Sequence, residues 1–114
     1  MADLDTLISG MISSLNPKKS HNTVLDIGCG DGSFAIKFLK PKTLVGLDNN
    51  LCVRKHFLKN VEAANINGIF KGKESLKSLK KNFFDTIISV GVFELNDDDE
   101  IFRIVKDSKM LLKR

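Results

Sequence analysis

Residues 24–34 read "VLDIGCGDGSF". An apolar run enters glycines at every second position, with one acid two residues before the first glycine and another inside the loop. Gly28 permits a sharp exit from a strand, and Gly30 and Gly32 keep side chains out of a ligand's path to the backbone. The stretch before the loop, 23–28, is read as strand 1. The stretch after it, 31–40, has Phe34, Ala35, Phe38 and Leu39 at helical spacing and stops at Pro41. A strand, a glycine turn and a helix in that order open an α/β unit.

The pattern repeats along the chain. "TLVGLD" (43–48) is strand 2, and Phe57, Leu58, Val61 and Ala64 mark a helix within 50–65. "NGIFKG" (67–72) is strand 3, "ESLKSLKK" (74–81) a short helix, and "FFDTIISVGV" (83–92) strand 4. "NDDDEIFRIVK" starts with acids, which a helix N-terminus favours, and "SKMLLKR" closes as a short fifth strand. Upstream, Leu4, Leu7, Ile8, Met11, Ile12 and Leu15 form one helical stripe before "NPKKSHN" breaks it. The expectation is one domain over 1–114, an N-terminal helix within 1–16 and a Rossmann-like core over 23–113. Its sheet would be three-layered, doubly wound and five-stranded, all parallel in order 3-2-1-4-5, with helices on both faces.

Composition fits one globular domain, 114 residues with 42% hydrophobic and 28% charged. Eight Phe with no Trp or Tyr read as core rather than recognition surface. Cys29 and Cys52 form no disulfide framework or metal-like pair, and neither His21 nor His56 has ligand spacing, so no metal site is expected. The start "MADLDTLISG" has acids where a signal peptide has basic residues, and no apolar run approaches about 18 residues. A cytoplasmic protein with no membrane partner is expected. A net charge of +4 permits an anionic partner without demanding one.

Asp26, Asp31 and Asp48 all fall near the carboxyl ends of strands 1 and 2, and Asp48 lies twenty residues after Gly28, where an acid grips ribose hydroxyls. A pyrophosphate set among them would be repelled, whereas ammonium and sulfonium groups would be held. Ser33 also stands where a dinucleotide loop has its third glycine. The loop therefore favours S-adenosylmethionine over NAD.

Three segments together, "VLDIGCGDGSF", "LVGLDNN" (44–50) and "FDTIISVGVFE" (84–94), resemble the class I S-adenosylmethionine-dependent methyltransferases. "FRIVKDSKMLL" is similar to that family's helix, turn and fifth strand, so the likeness covers 23–112. The resemblance implies that Asp26, Gly28, Cys29 and Gly30 line the methionine part of the cofactor, Asp48 binds the ribose diol and Asn49 lies under adenine. Ser89 would face the methyl group. The family's adenine-reading acid falls at Lys73, with Glu74 one place later, so either Glu74 takes over or backbone atoms read the base. The family's strands 6 and 7 have no counterpart in this sequence.

Other residues carry competing readings. Cys29 reads as an apolar filler of the loop rather than a nucleophile. Asp85 starts strand 4, the wrong edge for a ligand, and reads as structural. Glu94 is the candidate catalytic base, against a helix cap or a solvated carboxylate. Lys71, Lys73, Lys77, Lys80 and Lys81 read as a solvated face or as a contact for nucleic acid. The sequence thus points to a minimal methyltransferase of unidentified acceptor, against a non-catalytic cofactor-binding or vestigial subunit supporting a partner. An exposed fifth strand, "KMLLK", would pair two copies as a homodimer.

Overall fold

The computed structural model describes residues 21–89 and 98–113. Four strands form one parallel sheet: β1 (Thr23–Ile27), β2 (Thr43–Leu47), β3 (Asn67–Lys71) and β4 (Thr86–Ser89), in order β3-β2-β1-β4. The register sets Val24 against Leu44 and Thr86, and Ile27 against Leu47 and Ser89. β1 and β2 are buried on both faces, as their largely apolar runs, interrupted in β1 by Asp26, require. β3 is an edge and alternates exposed with half-buried positions.

Helices cover both faces. On one, α1 (Ser33–Leu39) and α2 (Arg54–Ala63) bury Ala35, Leu39, Phe57 and Val61 against Val24 and Leu44. On the other, the 3₁₀ helix Lys73–Ser78 and α3 (Asp98–Lys109) cover Leu25, Ile27, Val45 and Leu47 with Leu76, Ile104 and Leu111. Phe57 is fully buried because Gly46 lets its ring reach the sheet; a Cβ there would meet that ring at 2.5 Å and the Cys29 sulfur at 2.6 Å.

Two expectations change. The segment 74–81 is not an α-helix: its apolar residues Leu76 and Leu79 are three apart, the period of the 3₁₀ turn that forms. A fifth strand is not among the described elements. α3 runs on through Lys109, aided by Ser108 Oγ donating to Ile104 O (2.6 Å) and by Lys106 and Lys109 at its negative end. What the described residues show there is an isolated parallel bridge, Phe84 with Leu112. The sheet described is four-stranded.

The N-terminal helix expected within 1–16, residues 90–92 of strand 4 and Glu94 lie outside the described residues. Among the described residues, no helix is long and apolar enough to cross a membrane.

Candidate functional site

The glycine loop leaves β1 between the two central strands. Gly28 N and Cys29 N both donate to Leu47 O (2.7 and 3.0 Å), locking the loop to the end of β2. Gly28, Gly30 and Gly32 have φ of 75, 54 and 78°, the left-handed region that disfavours other residues. At Gly30 a Cβ would meet nothing within 4 Å, so the loop borders open space.

Asp48 joins the two loops. Its carboxylate accepts the Gly30 N–H (2.9 Å) on one oxygen and the Asn50 N–H (2.8 Å) on the other. Each oxygen keeps a lone pair for a second donor, which is what a ribose diol offers. Asp26, 3% exposed, lies within the sheet below the loop. Burial first, and the Asp48 charge second, push its carboxyl up to about 7. Burial foremost, then the Asp26 and Asp48 charges, push the Cys29 thiol up to about 12. A thiol so protonated is no nucleophile, and its sulfur packs where a Gly46 Cβ would stand.

Asp31 separates from the other two acids. It is exposed, and its Oδ1 accepts from both Ser33 N (3.0 Å) and Ser33 Oγ (2.6 Å), which lowers its pKa. Its backbone carbonyl accepts from Asn60 Nδ2 (2.9 Å), so α2 steadies the loop. That contact spans 29 residues, and no local pattern announces it.

Asn49 and Glu74 come together. Asn49 Oδ1 accepts the Lys73 N–H (3.1 Å), and both side chains line a cleft of about 300 Å³ with Lys73, Lys77, Arg103 and Asp107. Arg103 and Asp107 were not foreseen, since only the packing of α3 brings them there. Ser89 stands apart. Although Ser89 lies opposite Ile27 and so next to the glycine turn, its Oγ is buried without a hydrogen-bond partner among the described residues, and the residue lines a separate apolar cavity under α3.

The other readings resolve in part. Asp85 is structural: it accepts from Thr23 N (2.9 Å) and pairs with Lys113 Nζ (3.0 Å) at the far end of the sheet. His56 is exposed, but His21 is not simply solvated, because its Nδ1 lies 2.6 Å from Thr86 Oγ1. Lys71, Lys77, Lys80 and Lys81 are exposed, with Lys80 over the Phe83 ring, and Lys73 is half-buried.

Solved structures share this fold. The YcgJ protein of Bacillus subtilis superposes with a TM-score of 0.74 at 19% identity over 96% of this chain and 47% of that one. A phosphoethanolamine N-methyltransferase of Haemonchus contortus, solved with phosphoethanolamine and S-adenosylhomocysteine, gives 0.75 at 17% over 97% and 24%. PKMT2 of Rickettsia typhi, in complex with AdoHcy, gives 0.61 at 28% over 82% and 19%. The chain thus spans about half of these relatives or less. A search of curated proteins finds no match. The sequence model of the methyltransferase domain fits residues 24–114, most of the chain, and this chain belongs to the methyltransferase domain family.

Proposed function

We propose that the chain is the cofactor-binding core of an S-adenosylmethionine-dependent methyltransferase whose acceptor is unidentified. The carrying observation is Asp48, fixed by the Gly30 and Asn50 N–H groups at the rim of an open glycine loop. The residues fit the cofactor: two carboxylates suit an ammonium and a diol, and they repel a pyrophosphate. The structures with S-adenosylhomocysteine or AdoHcy support the same ligand.

When bound, S-adenosylmethionine supplies a methyl carbon already activated by its sulfonium, so positioning is the protein's main task. Asp48 would hold the ribose hydroxyls, and Asp26 with Gly28, Cys29 and Gly30 would take the methionine part, Asp26 serving its ammonium. Asn49 and Glu74 would border the adenine. Ser89 closes β4 beside the methyl-transfer region, and Glu94 is the candidate base. A non-catalytic cofactor-binding module is the second reading, favoured because the described site residues are binding groups with no evident acid–base pair.

Calorimetry with S-adenosylmethionine, S-adenosylhomocysteine and NAD tests the assignment. Binding of the first two is expected, and tighter binding of NAD refutes it. Turnover on an acceptor panel, against binding alone, separates enzyme from module.

Three further parts of the reading concern partners and place. The chain works in the cytoplasm, in keeping with two free cysteines. It pairs as a homodimer through the sheet edge beside β4. The lysines of 71–81 face a polyanionic acceptor.

A further inference from the structure

Among the described residues Asp26 is the one charged side chain buried in the core. Its register neighbours are Gly46 on β2 and Ile88 on β4, neither of which carries charge. The titratable groups around it come from the strand ends and the loop. Asp48 repels it, the Cys29 thiol stays protonated beside both acids, and Asp31 is turned outward to Ser33. His56 on α2 bears on exposed Asp31 instead. A buried carboxyl beside a fixed carboxylate, with no facing cation among the described residues, is most stable with a proton on it.

We propose, resting on the cofactor assignment above, that ligand uptake is proton-linked: Asp26 holds a proton in the ligand-free chain, and an incoming ammonium displaces it to solvent. The ammonium keeps its own protons, so each binding event releases one proton from the carboxyl. Affinity for an ammonium-bearing ligand therefore rises with pH until Asp26 is ionised beforehand, then levels off. The midpoint lies near the value of about 7 that burial and Asp48 impose. Such a site fills poorly in an acidified environment and readily in a neutral or alkaline one.

Calorimetric titration of the whole chain with S-adenosylhomocysteine tests this, in buffers of different ionisation heat. Release of about one proton per ligand is expected near pH 6 and little near pH 8, with affinity about tenfold weaker at the lower pH. Binding that is equally tight at both, with no proton release, overturns the linkage and leaves the cofactor assignment standing. No binding at either pH overturns both. The Asp26→Asn variant is expected to bind more weakly and without proton release, and release from it would refute the role of Asp26. Carbon-13 NMR of the Asp26 carboxyl in the ligand-free chain needs neither ligand nor variant. A midpoint near 7 supports the proposal, and one in the ordinary carboxylate range overturns it.

Discussion

Asp48 and Asp26 divide the work of the site by their surroundings. Asp48 is half-exposed and receives two backbone N–H groups, whereas Asp26 is enclosed, and burial first and the Asp48 charge second raise its pKa. Asp48→Ala should weaken S-adenosylmethionine binding by about 2–4 kcal/mol, through the loss of two charge-assisted hydrogen bonds to the diol. Equal affinity in calorimetry would remove Asp48 from the site. Asp26 has a different signature, in stability. Its folded-state value, about 7, lies above the ordinary 3.8, so the native state holds a proton that the unfolded chain loses first. Stability is therefore undiminished below about pH 4 and falls as pH rises to about 7, then stays flat. Asp26→Asn should match the wild type in Tm near pH 4 and exceed it near pH 8 in the absence of ligand. A constant difference across that range would contradict the assignment.

Among the helices, α2 links core to function. Phe57 and Val61, four apart, bury one face against the sheet, while Asn60 between them reaches the Asp31 carbonyl of the loop. Phe57→Ala leaves a cavity against Gly46 and Cys29 and should cost about 3–5 kcal/mol in denaturant unfolding. A loss under about 1 kcal/mol would mean that the site collapses around the gap. On the other face, the lysine-bearing 3₁₀ helix rests on Leu76 and turns its cations outward. If they meet phosphates, log affinity for RNA or DNA falls against log salt by about 0.7–0.9 per contact. The absence of binding at low salt in an anisotropy titration would leave these lysines a solvated face.

The molecule as a whole has one asymmetric side. Beyond Phe84 the described sheet ends at β4, flanked by a cavity of about 300 Å³ lined by Ile27, Ile87, Ile104, Val105 and Leu112. Val105 and Met110 are 41% and 50% exposed. Among the described residues no strand pairs the outer edge of β4; strand groups left so beside apolar surface favour association, and a two-fold axis would set the two β4 edges antiparallel. Sedimentation at micromolar concentration should show a dimer. A monodisperse species near 12.7 kDa, with and without cofactor, would refute it.

Local patterns carried the glycine loop, the four strands of the sheet and the place of Asp48 at the end of β2. The reason is that glycines at φ above 50°, largely apolar strands and an acid at a strand end act within a few residues of themselves. Even so, the pattern of 74–81 told where a helical turn forms and not its kind, because two leucines three apart suit either period. The apolar ending "MLLK" has strand character, yet α3 continues to Lys109 and leaves Leu112 one bridge. That choice rests on the register against Phe84, which no local propensity encodes. The site divides in the same way. His21 with Thr86, Asn60 with Asp31, and Arg103 beside Glu74 join residues far apart in the chain. The protonation of Asp26 belongs with them, since identity alone makes it an ordinary acid. Its character comes from β2 and the loop closing over it, because burial and a fixed neighbouring charge exist only once the strands are side by side.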